Sequence, residues 1–108
     1  MKRTSNDTYE LIVLDGRIDQ AESAELESIL DDCVKEKKIN ICIDMIDVKH
    51  ICSSALGVLV ATKRKIKDEG DIKLVISSDN LLKLFETTML NKIFEIYESR
   101  RECISNMD

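Results

Sequence analysis

The 108-residue chain predicts an α/β domain built on a mostly parallel sheet, and three observations carry that prediction. Short apolar runs with strand spacing alternate with segments whose apolar residues recur every three or four positions. The joints between them are short and hold glycine or helix-capping residues. No proline occurs, and no Gly/Ser-rich linker, internal repeat or low-complexity tract interrupts the alternation. One domain over residues 1–108, with an ordered core at about 8–105, is therefore expected.

Thr8 to Gly16 reads as the first strand, rich in β-branched and apolar residues and closed by Asp15-Gly16. Gly16 to Asp19 forms a turn. Asp19 with Glu22 three residues on has the pattern of a capping box, which predicts a helix from about Gln20. Its buried stripe is Leu26, Ile29, Leu30, Cys33 and Val34, and Lys35, Lys37 and Lys38 suit the negative end of its dipole. Glu22, Glu25, Glu27, Asp31 and Asp32 form its solvated face. Ile39, Ile41, Ile43 and Met45 alternate with Asn40, Cys42 and Asp44, the period of a strand over residues 39–45. After Cys52 the period changes, with Leu56, Leu59, Val60 and Lys63 recurring at three and four, and Ser53 or Ser54 is the residue type that caps a helix. That helix runs through Lys67 and stops before Gly70. Asp71 to Ser77 is a further strand, and Ser78 or Asp79 caps a helix with the stripe Leu81, Leu82, Phe85 and Met89, ending near Leu90. Ile93 to Tyr97 gives a short last strand. Ser99 and Glu102 form a second capping-box pattern, opening a terminal helix through Cys103 and Ile104, with Met107 and Asp108 fraying.

Composition excludes several classes of function. The formal net charge is −5, and Tyr9, Phe85, Phe94 and Tyr97 are the only aromatic residues, so no basic aromatic surface exists for direct nucleic-acid binding. No apolar run is long enough to cross a bilayer and the first residues are polar, so a cytoplasmic protein without membrane insertion is expected. Cys33, Cys42, Cys52 and Cys103 form no C-x-x-C pair and read as reduced, mostly buried thiols. His50, the single histidine, has no partner at metal-ligand spacing, so neither a metal site nor a cofactor is expected.

The end of the strand through Met45 and the start of the helix after Cys52 lie on the rim where α/β folds place their sites. A hydroxyl at a helix start sits beside unpaired N–H groups and the positive end of the macrodipole, so a phosphate on Ser53 or Ser54 is accommodated there. It adds about −1.5 to −2 charges at pH 7 and changes the surface rather than the fold. The plain alternative is that both serines are caps and nothing more.

Ser53-Ser54-Ala55-Leu56-Gly57, preceded by Ile43-Asp44-Met45, resembles the signature of STAS domains, in particular of bacterial anti-sigma factor antagonists. There Asp-Ser-Ser-Gly-Leu-Gly follows an apolar strand. Gly16-Arg17-Ile18-Asp19 resembles the family's early Gly-x-Leu-Asp turn, and the order of elements agrees from about Tyr9 to Ile104. The resemblance implies a STAS-type domain with a four- to five-stranded mixed sheet, often with the first strand antiparallel, packed against about four helices on one side. It implies a non-enzymatic module whose unphosphorylated form binds an anti-sigma factor and frees the sigma factor. It implies Ser53 as the phosphoacceptor of that anti-sigma factor, which has serine-protein kinase activity, with a serine phosphatase removing the phosphate. The partner surface then comprises the Gly16–Asp19 turn, the Lys49–Ser54 loop and the start of the next helix, with Asp19, His50, Cys52, Ser53, Ser54 and Gly57 as its residues. Cys52 stands where the family has Asp, and Ala55 where it has Gly. Ala55 suits a first helical turn; Cys52 removes a negative charge beside the candidate phosphoacceptor.

Two other readings share these residues. A STAS module can serve as a stressosome-type scaffold or as a subunit of a lipid or anion transporter. A thiol enzyme would use Cys52 as nucleophile and His50 as base, because residues two apart on a strand point the same way. The sequence supplies no oxyanion site for it.

Overall fold

Alternation along the longest strand sets the architecture. In this stretch, residues 40–51, Ile41, Ile43 and Met45 enter the main core while Cys42 and Asp44 face the other side of the sheet, and all five are buried. A strand buried on both faces belongs in the middle of a sheet. The computed structural model, which describes residues 1–107, places it third of five. The elements are β1 (Lys2–Ser5), β2 (Glu10–Ile18), α1 (Gln20–Lys35), β3 (Asn40–Ile51), α2 (Ser53–Ile66), β4 (Asp71–Val75), α3 (Asp79–Thr87), β5 (Glu95–Tyr97) and α4 (Arg100–Ser105), with a 3₁₀ turn at Leu90–Lys92. Strand order follows sequence order, β1 antiparallel to β2 and every other pair parallel.

The expected α/β class and mixed sheet are what the chain forms, with one correction to the layering. Leu26, Leu30 and Cys33 of α1, Ala55 and Leu59 of α2, and Leu81 and Phe85 of α3 share one core with Ile12, Leu14, Ile41, Ile43, Ile72 and Leu74 of the sheet. Each such aliphatic side chain contributes about 1.5–3 kcal/mol by leaving water. The fourth helix lies on the opposite face. Cys103 and Met107 close over Leu11, Cys42 and Val75, the apolar side chains that β2, β3 and β4 present on their second face.

Element ends differ from expectation for local reasons. β1 lies outside the expected core: Arg3 Nε donates to buried Glu10 at 2.8 Å, Ser5 Oγ donates to the same carboxylate at 2.6 Å, and Arg3 Nη2 reaches Glu36, the C-cap of α1, at 3.0 Å. A polar strand is thus fastened by charge-assisted bonds that hydropathy does not register. α2 ends at Ile66, not Lys67. Gly70 follows a further turn, and its role is close approach: a Cβ there would lie 2.2 Å from the Ile39 carbonyl oxygen, which accepts from Asp71 N at 3.0 Å. β4 stops at Val75. α3 stops at Thr87, and Met89, expected in the buried stripe, takes a left-handed φ of 64° that swings it out to 56 % exposure. Met107, expected to fray, is buried; Asp108 lies outside the described residues.

Candidate functional site

β3 outruns its neighbour by two extra residues, and this shapes the rim. Val13 pairs with Asp44 and Asp15 with Asp47; Gly16 pairs with Val48 and Arg17 with His50. Each step puts one extra residue on β3, a bulge that adds twist and re-aims the strand end. Asp44 builds the first bulge, its Oδ1 accepting from Ile46 N at 3.0 Å while Oδ2 takes Arg100 Nε of α4 at 2.8 Å. Gly16, at φ 67°, supplies on β2 a left-handed residue beside the second.

The expected turn at Gly16–Asp19 and loop at Lys49–Ser54 are mostly strand. Gly16 to Ile18 pair with Val48, His50 and Ile51, and Cys52 N donates to Ile18 O at 2.9 Å. The two strand ends therefore lie side by side and turn directly into α1 and α2. This brings Asp19, His50, Cys52, Ser53 and Ser54 to one rim.

Asp19 is the N-cap of α1. The Glu22 carboxylate accepts from its amide at 3.0 Å, the half of the capping box that is well formed. The Asp19 side chain lies within reach of the Glu22 amide without a well-formed bond, because its oxygens are engaged outward. Oδ2 meets Arg17 Nε at 3.2 Å and Oδ1 meets His50 Nε2 at 3.4 Å. The carboxylate is 48 % exposed and the imidazole 44 %, so both can touch a partner.

The cap of α2 is Cys52 rather than either serine, which corrects the expectation. Extending β3 to Ile51 starts the helix one residue sooner and moves Ser53 and Ser54 into its first turn. The Cys52 sulfur makes no well-formed capping bond, yet it lies 3.1 Å from Ser23 Oγ of α1 and beside the amides of Ala55 and Ser54. Ser23 first, then the Ala55 amide, hold this thiol below the ordinary range. Cys33, by contrast, is pushed up to about 11 by burial.

Ser54 Oγ donates to Gln20 Oε1 at 3.2 Å, tying α2 to α1. The Ser53 hydroxyl is exposed and has no hydrogen-bond partner among the described residues. The two serines thus have different situations: one links helices, the other is free at a helix start. Gly57 lies one turn on, exposed, with open space where a Cβ would be. His50 and Cys52 are not brought together as a catalytic pair, the imidazole facing Asp19 and the thiol facing Ser23. The structure adds Arg17, Gln20 and Ser23 to the rim. Their strand and helix neighbours were legible, but the pairing of β2 with β3 that assembles them was not.

No helix among the described residues is long and apolar enough to cross a membrane. An anti-sigma-B factor antagonist of Listeria monocytogenes is 28% identical over 107 residues, spanning 98% of this chain and 93% of that protein. The crystal structure of an anti-sigma factor antagonist from Mycobacterium paratuberculosis superposes with a TM-score of 0.89 at 22% identity, over 98% of this chain and 91% of that one. The Bacillus cell fate determinant SpoIIAA in its phosphorylated form gives a TM-score of 0.78 at 15% identity, over 99% and 98%. The STAS domain model matches residues 2–103, from the first residue of β1 into α4, and the chain belongs to the STAS domain family.

Proposed function

We propose that this chain is an anti-sigma factor antagonist, a cytoplasmic single-domain module spanning residues 1–108 that acts by binding and not by catalysis. Unphosphorylated, it binds an anti-sigma factor with serine-protein kinase activity and releases the sigma factor; phosphorylated on Ser53, it lets go, and a serine phosphatase resets it. One observation carries this reading: the Ser53 hydroxyl is exposed and unengaged in the first turn of α2, at the rim shared with Asp19 and His50. The names of the Listeria and Mycobacterium relatives support the same role.

The first helical turn leaves amides with no intrahelical acceptor, and phosphate oxygens on Ser53 can take some of them. The fold therefore tolerates the group. A partner already seated on the rim does not, because the dianion brings desolvation and like-charge repulsion into a formed interface. The anti-sigma kinase with ATP should label one site. Mass spectrometry placing the phosphate on Ser54, or finding none with an active kinase, would refute the assignment. Ser53→Ala should bind the anti-sigma factor constitutively and Ser53→Asp weakly, by isothermal titration. Asp19→Asn keeps much of the cap and removes the charge facing Arg17 and His50. If it binds as tightly as the parent, that carboxylate is not part of recognition.

A further inference from the structure

We propose that the open edge of β5, with the acidic groove between β5 and α3, is a docking surface separate from the Ser53 rim, and that it takes an extended segment of a partner protein as a sixth strand. The segment it fits carries basic residues on either side of an apolar one, all on one face. β5 is last in the order of the sheet and pairs only with β4. Ile76 N donates to Tyr97 O at 2.9 Å, so in this parallel ladder Glu95 and Tyr97 turn their backbone groups toward β4 and Ile96 turns its own to the open side. Nothing among the described residues meets the Ile96 N–H and C=O there. An added strand binds through groups of this kind.

The groove beside this edge, about 400 Å³, decides what kind of strand fits. Side chains alternate along a strand, and Phe94 and Ile96 belong to the face of the sheet that α3 covers. With Leu82 of α3 they give the groove an apolar floor. Its walls are acidic: Glu86, Glu95 and Glu98 line it, all exposed, and no arginine or lysine does. Lys73 reaches Glu95 at 3.3 Å, while Glu86 and Glu98 form no ion pair among the described residues. An apolar residue of the added strand covers Leu82 and Ile96, and basic residues two positions before and after it share its face and meet the free carboxylates. Pairing of β5 with the β5 of a second copy brings the same carboxylates to both sides of the ladder, and like charges opposed across strands are unfavourable. A basic segment is attracted by them instead. β4 separates β5 from the β2–β3 pair that builds the rim, so this surface does not depend on the state of Ser53.

The test titrates the isotope-labelled full chain, followed by amide NMR, with an acetylated and amidated Arg-Thr-Val-Thr-Arg peptide. Saturable shifts are expected at the amides of Leu82, Glu86, Ile96 and Glu98, with hydrogen exchange at Ile96 slowed severalfold in the bound state. Glu86→Gln/Glu98→Gln, at exposed positions and checked for folding by circular dichroism, should weaken the probe at least tenfold, and a Glu-Thr-Val-Thr-Glu peptide should not bind. The probe N-methylated at its three inner residues keeps both charges and loses the ladder bonds; it too should bind at least tenfold more weakly. Ser53→Asp should bind the probe as the parent does. No saturable shift up to about 1 mM probe, shifts confined to the rim, or loss of binding in Ser53→Asp overturns the docking surface. An N-methylated probe that binds as tightly as the parent peptide overturns strand addition. Self-association of the free chain that Glu86→Gln/Glu98→Gln abolishes, read by sedimentation, would make the occupant a second copy and overturn the partner segment.

Discussion

Gly57→Ala separates stability from recognition at the rim. Gly57 lies inside α2, is exposed, and has nothing within 4 Å of a built Cβ, so alanine adds no clash and loses no packing. Glycine in a helix interior is about 0.8–1 kcal/mol less favourable than alanine, chiefly through the backbone freedom it surrenders on folding. The variant should therefore be more stable by about 0.5–1 kcal/mol, a rise in melting temperature of roughly 3–6 °C for a domain of this size. Thermal unfolding by circular dichroism reads the shift, and urea unfolding with an unchanged slope confirms that neither end state has altered. A melting temperature that stays level or falls would refute this account of the helix. The same variant, titrated with the anti-sigma factor, should bind at least tenfold more weakly, because a bare backbone at an exposed position permits close approach of another chain. Unchanged affinity would remove Gly57 from the partner surface and leave its lower helix propensity without a role.

Two further measurements probe the supports of the rim. Only the thiolate attacks iodoacetamide, so Cys52, held below the ordinary thiol range by Ser23, should be labelled with a rate that rises through a midpoint below that range, while Cys33, fully buried in the core with its thiol pushed up by burial, stays unlabelled as long as the fold holds. Ser23→Ala should move the Cys52 midpoint upward, and a midpoint that does not move would show that the hydroxyl is not its principal support. Arg100→Ala leaves the Asp44 carboxylate, 4 % exposed, without its counter-charge, and should cost about 1–3 kcal/mol in urea unfolding. Asp44→Asn on that background should recover part of the loss. A cost below about 0.5 kcal/mol would mean that the pair contributes no more than an ordinary surface bridge.

The parts of the molecule legible in the sequence are those set by period and local capping. The Asp19-Glu22 pattern marks the start of α1, Leu26, Leu30 and Cys33 form its buried stripe, and Ser78 caps α3, accepting from Leu81 N at 3.4 Å. What escaped depends on pairing between distant segments. The alternating period of β3 stops at Met45 because Ile46 and Asp47 break it, and they break it because a bulge there adds a residue. That one difference moved the cap of α2 from the serines to Cys52. β1 was invisible for another reason: Lys2, Arg3, Thr4 and Ser5 carry no apolar period, and the strand exists through its pairing with β2 and the Arg3–Glu10 bond. Residue type and position leave Ser53 and Ser54 equal, and the resemblance to the family singles out Ser53; the first turn of a helix, where both now lie, offers the same free amides as its cap.

The substitution of Cys52 for the family's aspartate bears on how a switch at Ser53 would work. An aspartate at the cap would occupy the amides of the first turn with its own carboxylate and place a fixed negative charge beside the phosphoacceptor. A thiol is a weaker acceptor: the Cys52 sulfur lies 3.1 Å from Ser23 Oγ and beside the Ala55 and Ser54 amides, so a phosphate would compete there with a weaker rival than a carboxylate. The surrounding charges are close to balance: Arg17 and His50 face Asp19, Lys49 is exposed, and Glu22 is turned to its own helix cap. Against such a background, a group of about −1.5 to −2 charges dominates the local field within roughly one Debye length, about 8–10 Å at ordinary ionic strength. No segment has to move for this to happen. β2 and β3 are paired up to Ile18 and Ile51, and Ser54 ties the start of α2 to α1. A rigid rim near electrical neutrality would thus turn a charge added at Ser53 directly into a change of surface, and the affinity of a partner would follow that change rather than any rearrangement of the fold.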